Sequence, residues 1–416
     1  MKKLLLSLIL ILGIAGFSAT KLVLWTAPNP QDEMFWKEVL TEWKKYKPDI
    51  EISWTTIPAA GSSEEAILSA IASGRTPDIC GNIFAGFAAQ LVEIDQIIEL
   101  NKMSDYDKLI QNRTMKTIME GWKLNGKNYV IPIYSNPILM WWRIDVLKKL
   151  GYSEPPRTYS ELYELSKKFV VPKEKYAIRV IQGRNWWDRW YDYITYYYAA
   201  SEGKPYIDTK KSKALFGNDA GKQVTEFISY MFKNNLTALE LGTAPLYTGS
   251  LLGSLQGPWE IPYAENQFPD ILKNIVITPP LVPDSYPKDK PVYTFADTKG
   301  IVIFKSSKHQ KESWEFVKWV LSNEQFDKRF LEITKMPPAR EDLMENPIFN
   351  DFFIKNPLSA EYAKYVKYAV PPALITKTVE VQDELTVSLV EPLMYGIKAP
   401  QAALDEAVKK INKIIW

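Results

Sequence analysis

The residues with most to offer chemically are aromatic rings and neutral amides placed on loops. Trp259 follows Gly257-Pro258, a turn that presents a ring instead of packing it inside an element. Trp186 and Trp187 follow Gly183-Arg184-Asn185, at the mouth of a predicted strand-to-helix loop. Tyr247 lies in a loop ahead of Trp259. Asn29 and Gln31 sit on one predicted strand-end loop, and Asn82 with Phe84 on another. Flat rings suit apolar C–H faces, and amides suit hydroxyl groups. The set therefore points to holding an uncharged, polyhydroxylated small molecule. Each residue also has a plainer reading: a Trp after Gly-Pro can plug the edge of a domain, and Asn in a loop is most often a turn residue.

Bond-breaking chemistry finds less support. The chain has one histidine, His309, in a Ser-Lys-His-Gln turn, and one cysteine, Cys80. Neither has the partners that a nucleophile or a metal site needs, so no metal and no cofactor is expected. No glycine-rich phosphate loop is present. Hydrolysis of a glycoside would need two carboxylates of different acidity. Asp and Glu number 49, which leaves a pair open, yet none stands out on the strand-end loops. The alternatives kept beside a sugar binder are a binder of a non-sugar solute and a secreted glycoside hydrolase. A near-neutral chain, formal charge +2, carries no footprint for nucleic acid.

The elements that must position these residues are legible at the start. Leu22-Val23-Leu24-Trp25 reads as a buried strand. Asp32 then caps a predicted helix with Phe35, Trp36, Val39, Leu40 and Trp43 on one face. Trp36 and Trp43 are seven apart on that face and are assigned to the core. Ile50, Ile52 and Trp54 alternate with polar residues as a second strand. A helix after Ser63 ends at Gly74, and Pro77-Asp78-Ile79-Cys80 opens a third strand. This is the pattern of a parallel sheet with right-handed crossovers, in which ligands bind outside the carboxyl ends of the strands. Asn125-Gly126 marks a hairpin. Asn136-Pro137 breaks the strand pattern begun at Ile131, which marks it as a crossing between lobes. Tyr196 to Tyr198 belong to a helix too aromatic to be anything but core.

The first residues form a segment of another kind. Met1-Lys2-Lys3 precedes an apolar run from Leu4 to Ile14, then small residues through Ala19. That is expected to be a secretory signal peptide over 1–18, since a membrane span needs roughly 20 apolar residues. Its two lysines account for the formal charge. With Cys80 deep in the chain, no lipid anchor is expected, and a periplasmic location follows.

Seven strings in order resemble one family. They are Gly74-Arg75-Thr76-Pro77-Asp78-Ile79, the Asn125 to Pro132 hairpin, Trp141 to Gly151, Pro155 to Leu162, Gln256-Gly257-Pro258-Trp259, Glu312 to Val317 and Ala399 to Leu404. Together they are similar to the family 1 extracellular solute-binding proteins of ABC sugar importers, the group that includes maltose-binding protein. The resemblance implies an α/β protein of two lobes, each a mostly parallel sheet flanked by helices, with the ligand cleft between them. One lobe would take 19–133 plus 297–335, and the other 134–296 plus 336–416. It implies a sugar captured by hinge closure and passed to the transmembrane subunits of an ABC permease, by a monomer without catalytic residues. It implies that Trp259 stacks on the sugar, that Trp186 or Trp187 touches it, and that Asn136 falls where relatives carry an acidic sugar contact. Trp141-Trp142-Arg143 replaces the family's usual Tyr-Tyr-Asn. Two stacking rings, each contributing about 0.5–1.5 kcal/mol beyond area, and four or five hydrogen bonds would reach about micromolar affinity.

Overall fold

A computed structural model describes residues 19–58, 62–180 and 190–416. Strand β1 (Thr20–Thr26) buries Leu22 and Leu24 and pairs in parallel along its whole length with β2 (Ile50–Thr56). Between them runs helix α1 (Pro30–Tyr46), whose Phe35, Trp36, Val39 and Trp43 are buried. The Trp43 indole also donates to the Ile50 carbonyl at 3.0 Å, tying helix to strand. Asn29, not Asp32, is the cap: its Oδ1 accepts from the Gln31 and Asp32 amides at 2.9 and 3.3 Å. Pro30 explains the difference, because proline is pre-organised for the first helical position and fixes the cap one residue earlier. Helix α2 (Ser63–Ala72) opens with a Ser62–Glu65 capping box and closes before Gly74 at φ +64°. Strand β3 (Ile79–Phe84) then lies parallel to β1, and helix α3 (Ala85–Glu93) follows at once.

The remaining strands link two lobes. Short strands β4 (Lys123–Leu124) and β5 (Lys127–Asn128) form the expected hairpin, with Asn125 at φ +51° and Gly126 at φ +77°. Strand β6 (Ile131–Pro137) leads directly to β7 (Leu139–Arg143). Further on come β8 (Tyr176–Ile178), the small pair β9 (Ile207–Asp208) and β10 (Lys213–Ala214), β11 (Leu251–Gln256), β12 (Ile275–Thr278), the long β13 (Thr294–Ile303) and β14 (Ala369–Val370). The first sheet has the order β14-β13-β3-β1-β2, with β6 also on β13; the second has the order β12-β7-β11-β8.

Two large apolar clusters mark the lobes. One holds Leu22 through Tyr134 and Ile301 through Ala339. The other holds Ile138 through Phe295 and Val381 through Ile411. Strand β13 runs from one into the other, with Phe295 in the second and Ile301 in the first. Antiparallel β6 accompanies it, pairing from Pro137↔Ala296 to Ile131↔Ile301. The expected break at Asn136-Pro137 is therefore part of a continuous two-strand crossing. Proline is tolerated there because Pro137 is the last residue of β6; upstream, the side of the strand away from β13 bonds the 337–339 segment, the Ser135 amide donating to the Pro337 carbonyl at 3.1 Å and the Ala339 amide to the Ile133 carbonyl at 3.0 Å.

The second sheet is mixed rather than mostly parallel. β11 pairs β8 in parallel, but β7 runs antiparallel to both β11 and β12. The reason is that β7 is fed directly from the crossing and so runs away from it, while β8 and β11 run toward it. The helix Tyr191–Ala200 buries Tyr193, Tyr196, Tyr197 and Tyr198, as its composition requires.

Candidate functional site

Strand directions decide where the lobes meet a guest. At the end of β3, Phe84 pairs with Lys299 of β13, and Lys299 pairs with Tyr134 of β6. At the end of β11, Gln256 pairs with Leu139, two residues past the crossing. Parallel neighbours β1 and β8 bring their own carboxyl ends to the same side. Both sheets thus aim their carboxyl ends at the crossing, where open α/β sheets bind ligands. The lobes also touch there: a Cβ on Gly86 of α3 would lie 2.3 Å from the Cβ of Thr378, at the start of the helix Thr378–Leu385.

On the first lobe, the side chain of Asn29 is half-buried; its Oδ1 is taken by the cap, and its Nδ2 has no partner among the described residues. Gln31, next in the helix, is half-buried. Asn82 donates to Ser63 Oγ at 3.2 Å. The Phe84 ring stacks on Phe87 at 6.2 Å, and the Lys299 ammonium stands 5.3 Å from its centre. Lys299 also pairs with Asp297 at 3.2 Å. The structure thus brings Phe84 together with Lys299 and Asp297, a pair that no local spacing announces.

Asn136 is only 1 % exposed, and its Nδ2 contacts the Met336 sulfur at 3.3 Å. Its Oδ1 has no partner among the described residues. The same holds for Asp32 Oδ1 and for the Tyr191 hydroxyl. The Asp32 carboxyl is buried and pushed up to about 7 by that burial. The Tyr134 hydroxyl is pushed well up, first by burial, then by the negative fields of Asp297 and Asp32. Tyr191 responds the same way, to burial and then to Asp297. Asp297 pairs with Asn136 across the crossing, Tyr134 precedes Asn136 on β6, and the Tyr191 ring meets Phe295 of β13 at 5.6 Å, so these groups share one neighbourhood, with the Asp32 field reaching Tyr134. A buried polar group left unpaired costs about 1–3 kcal/mol, so a hydroxylated guest gains most by hydrogen bonding at such a place. Sequence reasoning missed all four, because they come from separate parts of the chain. Only Asp32 is singled out by the sequence, as a helix cap.

On the second lobe, Trp259 is 39 % exposed. One side of its ring lies against Gly257, where a Cβ would fall 2.2 Å from Trp259 Cη2. The glycine lets the ring lie down on the turn. Tyr247 is buried instead, stacked on Phe268 at 4.2 Å, and its hydroxyl donates to the Glu260 carboxylate. Its part is to position Glu260, whose acidity burial weakens. Tyr362 fixes the end of β11 by donating to the Gln256 carbonyl at 2.8 Å while accepting from the Trp141 indole at 2.7 Å. Trp186 and Trp187 lie outside the described residues.

Comparison with known proteins adds the following. The profile of the bacterial extracellular solute-binding protein family matches residues 27–325. An arabinooligosaccharide-binding protein of Bacillus subtilis is 22 % identical over 99 % of this chain and 98 % of its own. A maltotriose-binding protein of Pyrococcus abyssi is 26 % identical over 80 % of this chain and 69 % of its own. Among solved structures, an uncharacterized protein of Listeria monocytogenes superposes with a TM-score of 0.87 at 36 % identity, covering 95 % of this chain and 100 % of that one. The sugar-binding protein MalE of Xanthomonas citri superposes with a TM-score of 0.79 at 19 % identity, covering 95 % and 97 %.

Proposed function

The chain belongs to the bacterial extracellular solute-binding protein family, and from that premise we propose that it captures an uncharged sugar between its lobes and delivers it to an ABC permease. Membership of the family carries a periplasmic or extracellular location and a binding role. The finer reading is a periplasmic, monomeric protein exported by its first 18 residues. Its lobes divide near 133, 296 and 335, and they close by a hinge on the β6–β13 crossing.

One observation carries the sugar reading: an aromatic face and unpaired buried polar atoms flank the same crossing. The exposed part of the Trp259 ring would stack on the C–H side of a sugar ring. Asn82, Gln31 and the Nδ2 of Asn29 would reach its hydroxyls from the opposite lobe, with Phe84 as a second ring. Asn136, Asp32 and Tyr191 would bond hydroxyls that reach the floor. Two acids near Tyr134 raise the rival of an amine solute. Lys299 answers Asp297 at 3.2 Å, however, and a carboxyl pushed up to about 7 is largely uncharged below neutrality, so the floor is not strongly acidic.

Titration calorimetry of the purified chain against a panel of neutral mono- and oligosaccharides tests the proposal. Saturable heat with a 1:1 stoichiometry is expected from at least one sugar. Tight binding of a polyamine or amino acid, with no heat from any sugar, would overturn it. Product formation from an oligosaccharide would instead favour the hydrolase.

A further inference from the structure

The first lobe holds a cavity of about 500 Å³ on its side away from the crossing. Tyr46, the last residue of α1, forms one edge of it. After α1 the chain is back at the start of β1, where the Thr20 amide donates to the Asp49 carbonyl at 2.9 Å. Tyr46 therefore stands at the end of the sheet opposite the carboxyl ends. The helix Gln310–Leu321 forms a wall, and it follows β13, which has by then run from the crossing to Ile303 beside Ile79, the first residue of β3. None of the residues placed at the crossing above lines this cavity.

Each wall is one face of a helix. Lys311, Trp314, Glu315, Lys318 and Trp319 follow the helical spacing of three and four along Gln310–Leu321. Asp105, Lys108 and Leu109 follow it at the start of the short helix Tyr106–Asn112. Trp314 and Leu109 are buried and make an apolar floor. The Trp314 indole nitrogen is already engaged, donating to the Ser104 carbonyl at 2.8 Å, so the floor asks for no polar partner there. Tyr46 stacks on Trp319 with ring centres 5.5 Å apart and an angle of 18°, and it stays 58 % exposed. The volume falls in the range of small-molecule sites, about 300–1,000 Å³.

The charges around this floor are uneven. Asp105 pairs with Lys318 at 2.8 Å, and Glu315 pairs with Lys47 at 3.0 Å. Lys108 and Lys311 have no ion-pair partner among the described residues, and both are exposed. Both carboxylates are thus matched, and two ammonium groups remain for a guest. A cation would be repelled by them, whereas a carboxylate would accept charge-assisted hydrogen bonds. A flat apolar body is what the rings can cover.

We propose that this cavity binds a small aromatic carboxylate, its ring against Tyr46, Trp314 and Trp319 and its carboxylate toward Lys108 and Lys311. The site is separate from the sugar cleft and does not depend on the sugar reading.

The test is titration calorimetry of the full chain with three probes of one shape: naphthylacetate, naphthylethanol and naphthylethylamine. Naphthylacetate should bind 1:1 and tenfold or more tighter than the alcohol, with the amine weakest. Its advantage over the alcohol should shrink in about 1 M salt, where exposed charges are screened within about 3 Å. The double variant Lys108→Gln/Lys311→Gln should remove that advantage and leave the alcohol unchanged. Tyr46→Ala should weaken acid and alcohol alike by about three- to tenfold. All three side chains are exposed, so these variants keep the fold, which thermal melting checks. No saturable heat from naphthylacetate, equal binding of acid and amine, or an acid affinity unchanged in the double variant would each overturn the proposal. Loss of naphthylacetate binding in Trp259→Ala would place the probe at the crossing and overturn it as well.

Discussion

Replacing Asp32 by Asn should flatten the pH dependence of stability between about pH 4 and 7. Asp32 is 5 % exposed, and its carboxyl is pushed from 3.8 to about 7. The folded chain therefore holds this proton more tightly than the unfolded chain does. Its contribution is fully present below pH 4 and is lost as pH rises through 7. A shift of about three units corresponds to about 4 kcal/mol at roughly 1.4 kcal/mol per unit. Asp32 is also the third residue of α1, where the helix N-terminus favours a negative charge by up to about 2 kcal/mol. The expected net loss between pH 4 and 7.5 is thus about 2–4 kcal/mol. Urea unfolding at half-unit pH steps on the wild type and Asp32→Asn measures it. The wild type should lose stability with rising pH faster than the variant, with the curves diverging most between pH 5 and 7. Parallel curves would show that Asp32 ionises without cost, and the buried-carboxyl argument would fail.

Further outcomes follow from the same geometry. Trp259→Ala should weaken sugar binding by ten- to a hundredfold in calorimetry with little change in melting temperature, since the ring is partly open to solvent. Gly86→Ala drives a methyl against Thr378, at 2.3 Å from its Cβ, and should cost about 1–3 kcal/mol of the conformation in which the lobes touch there; pairing it with Thr378→Gly should restore sugar affinity. Asp327→Ala should lower stability by about 3–5 kcal/mol in denaturant melts. That carboxylate lies between the buried guanidinia of Arg113 at 2.7 Å and Arg340 at 3.2 Å, and its loss leaves them facing each other.

The first half of the architecture was legible because its signals are local. Alternation in β2, the Ser62 box and the positive φ of Asn125 and Gly126 are each encoded within a few residues. The expectation that a ligand lies at the carboxyl ends of the strands likewise came from strand order alone. What escaped was long-range. Lys299 over Phe84 and Asp297 beside Tyr134 and Tyr191 join residues far apart in the chain, and no spacing announces them. The crossing at Asn136-Pro137 was signalled by its proline, but that the strand runs on through Pro137 depends on its pairing with Ala296, which no local spacing announces. Tyr247 showed as a loop aromatic, and only packing revealed it stacked on Phe268 with its hydroxyl on Glu260. The antiparallel β7 could not be foreseen without knowing that it leaves the crossing directly.

The central claim is that two lobes move together around an uncharged sugar. Small-angle X-ray scattering of the purified chain, alone and with saturating neutral mono- and oligosaccharides, addresses it most directly. A smaller radius of gyration with the sugar that gives heat in calorimetry is the expected result. Superimposable profiles with every sugar, at concentrations where binding is complete, would contradict it.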